Sequence, residues 1–201
     1  MSTTQRKLAS AALILAVFVF WELVCLLFGI SDLVLPRPTQ VFATLWEKAP
    51  AIWPHAQQTL MTTLVGFSGG VAIGLSLGVL IGSSKLAYDT AYPLLVGISS
   101  IPKVAVVPIL VLWFGIGEIP AILTAFLISF FPIVVNVATG LATLEPELED
   151  VLRALGANKL DIMLKVGIPR SLPYFFGALK VAITLAFVGS VISETIAANA
   201  G

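Results

Sequence analysis

Charge, sulfur and imidazole are all scarce in this chain of 201 residues. Charged residues make up 11% of it, against about a quarter in soluble globular domains. Eleven Lys and Arg balance eleven Asp and Glu, so the formal net charge is zero. Without a positive field no charge-driven nucleic-acid partner is expected. The one cysteine, Cys25, excludes an intrachain disulfide and a cysteine-ligated metal cluster. The one histidine, His55, cannot build a His-rich centre, and no metal site is expected. No G-x4-G-K-[ST] loop is present, so ATP is not held here in that way.

What is abundant is apolar surface. Hydrophobic residues make up 58% of the chain, above the roughly 45–50% of soluble domains, and mean hydropathy is +1.03. This excludes a soluble globular domain and a disordered chain, and points to an all-α polytopic membrane protein. A membrane helix needs about 20 apolar residues to cross about 30 Å of hydrocarbon. Five stretches meet that length: residues 8–30, 60–82, 92–114, 119–141 and 173–198. They are continuous rather than alternating, which excludes a β-barrel pattern.

Arg6 and Lys7 before the first apolar run suggest a signal peptide. The run continues to Ile30 with no A-x-A-like site, and Val24 rather than a small residue precedes Cys25. An uncleaved first span is therefore expected. Residues 31–58 hold Pro36, Pro38, Pro50 and Pro54 and are expected to be broken, with one short surface helix over 39–48 carrying Val41, Phe42, Leu45 and Trp46 on a stripe. With the N-terminus inside, seven Lys and Arg (Arg6, Lys7, Lys85, Arg153, Lys159, Lys165, Arg170) lie inside and two (Arg37, Lys48) outside. The positive-inside rule thus places the N-terminus and residues 141–172 in the cytoplasm, and residues 31–58 and 115–118 outside.

Three features within the spans bear on function. Gly66, Gly70, Gly74, Gly78 and Gly82 recur every four residues and form a ridge that lets helix backbones approach, either as fixed packing or as a sliding surface. Ser99, Ser100, Pro102 and Lys103, followed by Pro108, mark a broken helix that is either a wall of a translocation path or a structural kink. Glu22, Lys103 and Glu194 are ionisable groups inside spans and must face protein, water or an interface.

Residues 141–173 form the most polar segment. Pro146 with Glu147, Glu149 and Asp150 suits a helix start. Leu148, Val151, Leu152 and Leu155 follow on one stripe, and Gly156 stops the helix in a left-handed conformation. Asn158 caps a second short helix, expected to end at Pro169 and Pro173.

Here the chain resembles a known family. Asp150-Val151-Leu152-Arg153-Ala154-Leu155-Gly156, nine residues, then Val166-Gly167-Ile168-Pro169, is similar to the E-A-A-x3-G-x9-I-x-L-P loop of ATP-binding-cassette importer permeases, with Asp150, Val151 and Leu152 replacing the leading Glu and alanines. Leu35-Pro36-Arg37-Pro38-Thr39-Gln40-Val41 and Pro102–Pro108 with Trp113-Phe114-Gly115-Ile116-Gly117 resemble the subfamily that serves nitrate, sulfonate, taurine, bicarbonate, thiamine-pyrimidine precursors and riboflavin. The resemblance covers about residues 35–198.

The resemblance implies a type I importer permease fold over residues 1–201, with a cytoplasmic coupling loop over 144–170. It implies a paired permease, a homodimer, within the lipid of the inner (plasma) membrane. Two ATPase subunits bind ATP and Mg beneath it, and a periplasmic or extracellular solute-binding protein delivers substrate above. It implies ATPase coupling by Asp150, Arg153, Ala154, Leu155, Gly156, Ala157 and Pro169, and no catalytic residue or cofactor in this chain. It also implies a sixth span, so a chain ending at Gly201 is expected to be a truncated permease or an unusual five-span member. Two alternatives are weighed against it. An ion-driven secondary transporter would show repeated halves, which are not found. An intramembrane enzyme would need facing catalytic groups, yet no span carries an Asp and His55 lies outside the spans.

Overall fold

Long apolar runs satisfy their backbone groups internally as helices, and the chain does so throughout. The computed structural model describes residues 3–143 and 146–197, and every element among them is helical. The helices are α1 (Thr3–Leu27), α2 (Pro38–Gly82), α3 (Lys85–Ser99), α4 (Val107–Phe114), α5 (Glu118–Ala142), α6 (Pro146–Ala154), α7 (Lys159–Ile162) and α8 (Ile168–Ala197). A 3-10 turn (Lys103–Val106) precedes α4 and a π turn (Met163–Gly167) joins α7 to α8. Four helical segments are long and apolar enough to cross a membrane, and the bent pair α3–α4 makes a fifth if taken as one span.

The chain divides into two compact units, Met1–Pro54 and His55–Gly201. In the first, α1 meets the start of α2, and Phe18 packs on Phe42 with ring centroids 5.9 Å apart. Cys25 is buried and directs its thiol to the Leu35 carbonyl. The start of α2 is capped twice: Gln40 Oε1 accepts from Arg37 N at 3.2 Å, and Glu22 Oε2 accepts from Thr39 N at 3.0 Å. Two of the orphan donors of the first turn are thereby satisfied.

In the second unit the core lies where α5 meets α8. Ile133, Val137 and Leu141 pack with Ala178 and Ala182, and Phe67, Val71 and Val79 of α2 close over them. The glycine ridge is the contact surface between α2 and α5. A Cβ on Gly66 would lie 2.4 Å from the Ile122 carbonyl oxygen, one on Gly70 2.4 Å from Ser129 Oγ, and one on Gly78 2.7 Å from Val137 Cβ. Only hydrogen fits at these positions, as close small-residue packing in lipid requires.

The structure corrects the sequence expectations at two places. The broken segment over 31–58 with a short helix over 39–48 is instead one α-helix from Pro38 to Gly82. Pro38 occupies the first turn, where its missing N–H costs nothing. Pro50 and Pro54 lie inside the helix on an exposed stretch, where a lost ladder bond costs less than in a buried one. Pro169 and Pro173 do not end the second short helix but continue into α8. The π turn over Met163–Gly167 widens the helix just before Pro169 and relieves the clash of its ring with the preceding turn. The third span is broken where Pro102 and Lys103 led one to expect, into two helical segments, Lys85–Ser99 and Lys103–Phe114, bent by 71°, and it begins at Lys85 rather than at residue 92.

Candidate functional site

Two sites on the second unit carry the residues singled out in the sequence. The first is the knuckle formed by α6, Gly156 and α7. Glu147 and Glu149 sit in the first turn of α6 and Arg153 in its last, matching the helix dipole at both ends. Arg153 pairs with Glu149 one turn earlier. The helix stops in a Schellman motif: Ala157 N donates to the Leu152 carbonyl at 3.0 Å and Gly156 N to the Arg153 carbonyl at 2.9 Å. Gly156 has φ +87°, the left-handed conformation expected from the sequence. Asn158 then caps α7 by accepting from Asp161 N at 2.8 Å. Two helix ends are thus fixed back to back by local hydrogen bonds, so the knuckle is stiff without a large core.

The knuckle presents apolar groups outward. Val151 is 56% exposed and Leu155 78% exposed, while Leu148 and Leu152 on the same stripe are half-buried. Asp150, Arg153 and Ala154 are exposed around them. Leu152, Leu155, Gly156 and Ala157 form one side of a concave surface of about 310 Å³, facing Asp161 and Lys165. Pro169 stands apart, in the first turn of α8. The structure therefore gathers the coupling candidates of residues 150–157 on one knuckle and leaves Pro169 outside it.

The second site is the bend between α3 and α4. Ser99 and Ser100 both turn their hydroxyls back to the Val96 carbonyl, at 2.8 and 2.9 Å. Lys103 Nζ donates to the Ser99 carbonyl and lies 4.7 Å from the centroid of the Phe131 ring. A cavity of about 300 Å³ opens here, lined by Ser99, Lys103, Phe131, Asn136 and Leu185 among others. Ser100 and Pro102 are exposed and do not line it. Asn136 and Phe131 of α5 were not singled out from the sequence. The available signal was a lone amide side chain within an otherwise apolar span.

The remaining intramembrane acids are structural partners. Glu22 caps α2 through both the backbone and the hydroxyl of Thr39. Glu194 is buried on α8 and accepts from Thr59 and Thr62 of α2.

Residues 70–201 match the family described as binding-protein-dependent transport system inner membrane component. The formylaminopyrimidine transport permease protein of Halalkalibacterium halodurans is 30% identical over 202 residues, covering 100% of this chain and 80% of the relative. The riboflavin transport system permease protein of Chloroflexus aurantiacus is 32% identical over 190 residues, covering 94% of this chain and 71% of the relative. The nitrate import permease protein of Leptolyngbya laminosa is 28% identical over 211 residues, covering 99% and 74%. All three are transport permeases by name. The chain belongs to the family of inner-membrane components of binding-protein-dependent transport systems, the permeases of ATP-binding-cassette importers.

Proposed function

We propose that this chain forms, with a second copy of itself, the pathway of an importer in the inner (plasma) membrane. In this reading its N-terminus and the α6–α7 knuckle are cytoplasmic. Two ATPase subunits, which bind ATP and Mg, seat on the knuckle. A solute-binding protein docks on the opposite side and releases a small solute into the pathway. Closure of the ATPases pushes the knuckle, and α8, joined to it through the π turn, carries that movement into the spans. The pathway then alternates between inward and outward access. Relatives transport formylaminopyrimidine, riboflavin or nitrate by name, so a small polar or anionic solute is the substrate class.

The observation that carries this reading is the pair Val151 and Leu155: large apolar side chains, more than half exposed, on α6 and at its end, beside the charged Glu147, Glu149, Asp150 and Arg153. An amphipathic helix buries its apolar face against something, and here that face is left open beside a stiff left-handed turn. Asp150, Arg153, Ala154, Gly156 and Ala157 frame it as the coupling surface, while Pro169 acts through the join to α8. Ser99, Ser100, Pro102 and Lys103 form the bend in the path wall.

The test is co-purification. Tagged chain expressed with its ATPase should bring the ATPase down, and Val151→Asp with Leu155→Asp should lose it while membrane insertion persists. A chain that purifies without any ATPase, and that accumulates solute on an ion gradient alone, would overturn the reading.

A further inference from the structure

Lys103 is a cation within a span and has no counter-ion among the described residues. The ion pairs Arg37–Asp32, Arg153–Glu149 and Lys165–Asp161 do not include Lys103. Its partners are a backbone carbonyl and an aromatic face, those of Ser99 and Phe131. Among the described residues no acid lines the cavity beside it. An ionisable group in a membrane span is costly and is retained where it has a partner or a task.

The hydrogen-bond inventory indicates what is missing. The ammonium has three hydrogens, and the Ser99 carbonyl takes one. The Asn136 amide has two, and the Pro132 carbonyl takes one at 2.8 Å. The cavity therefore holds spare donors from a cation and an amide, with no acid to meet them. Around these donors the wall is apolar, made by Ile128, Val135 and Leu185. At about 300 Å³ the space suits a small solute only.

We propose that this cavity is an anion subsite of the translocation path, in which Lys103 and Asn136 hold the oxyanion head of a small, singly charged solute at the bend between α3 and α4. The proposal rests on the permease reading above. It places charge selection in the permease itself.

The experiment uses the whole importer, permease with its ATPases and binding protein, in proteoliposomes. Uptake of radiolabelled methanesulfonate, nitrate and neutral 4-aminopyrimidine is measured separately for wild type, K103R, K103M and N136D. The wild type should take up at least one of the anions. K103M should lower that uptake by about tenfold or more, the size expected for losing a charge-assisted hydrogen bond, with the ATPase still co-purifying. K103R keeps the charge and should stay within about threefold, because a guanidinium also donates to an oxyanion. N136D sets an acid in the cavity that holds the ammonium and should fall with K103M, which keeps the test decisive should K103M fail to assemble. Wild-type anion uptake by both K103M and N136D would overturn the subsite, as would a wild-type importer that carries 4-aminopyrimidine and neither anion. Failure of the permease reading looks different: a wild-type chain that binds no ATPase and supports no ATP-dependent uptake.

Discussion

Glu194 of α8 is tied to Thr62 of α2 across the helix interface, the Thr62 hydroxyl donating to Oε1 at 2.9 Å while Thr59 donates to Oε2 at 2.6 Å. Ser190 lies 3.2 Å from the same Thr62 hydroxyl, and all four residues are buried. Removing the carboxyl takes the nearest acceptor from both buried hydroxyls and leaves them the backbone carbonyls of His55 and Thr59, each at 3.1 Å. Glu194→Ala should therefore lower the stability of the folded permease by about 1–3 kcal/mol. Glu194→Gln keeps an oxygen for one threonine and should lose less. Thermal denaturation of the purified protein in detergent compares them, and equal melting temperatures for wild type and Glu194→Ala would contradict the assignment.

The glycine ridge makes a graded expectation. At Gly66 a methyl would strike the Ile122 backbone oxygen at 2.4 Å, whereas at Gly74 it would meet the Ile133 side chain at 3.1 Å. A side chain gives way more easily than a backbone, so Gly66→Ala should cost more than Gly74→Ala, within the range of about 1–3 kcal/mol typical of overpacking. Gly74→Leu should disrupt assembly outright. Gly177, with nothing within 4 Å of an added Cβ, should accept Ala. The yield of folded protein across the four variants checks the order.

Much of this was legible in the chain. The ridge is visible as a four-residue repeat, and its partner is α5. The knuckle is visible because Gly156, Asn158 and the acids of α6 are local capping signals that need no tertiary context. What misled were the prolines. Pro50, Pro54, Pro169 and Pro173 read as breaks, yet two sit on an exposed stretch and two follow a π turn that makes room for them. Glu22 and Glu194 were plainly exceptional, but their partners lie 17 and 132 or more residues away in sequence. Asn136 was visible as an amide within an apolar span, but its place beside Lys103 depends on the packing of α5 against the bend.

Glu22 fixes where α2 begins. Its carboxylate accepts from Thr39 N at 3.0 Å and from Thr39 Oγ1 at 2.8 Å. Glu22→Ala should cost about 1 kcal/mol, the usual worth of a lost N-terminal cap. Hydrogen exchange should speed up at the first turn of α2 and stay unchanged in α5. Uniform exchange rates in both proteins would contradict the capping role.

Orientation is open to direct labelling. In a background where buried Cys25 is replaced by Ser, Trp46→Cys and Lys159→Cys both place a thiol at an exposed position. An impermeant maleimide should reach residue 46 in intact cells and residue 159 only after the membrane is opened. External labelling of residue 159 would reverse the topology.

The central claim is that the α6–Gly156–α7 knuckle transmits work between the ATPases and the spans. Gly156 sits at φ +87° with open space around it, so a side chain there acts through backbone strain rather than collision. A branched residue reaches that conformation only at about 1 kcal/mol or more. Gly156→Val should leave membrane insertion intact while tilting the knuckle. The deciding measurement is uptake and ATP hydrolysis, side by side, in the reconstituted importer. Gly156→Val should lower uptake per ATP hydrolysed, or lose the ATPase altogether. Uptake and substrate-stimulated hydrolysis both at wild-type values would contradict the claim that this turn couples the two.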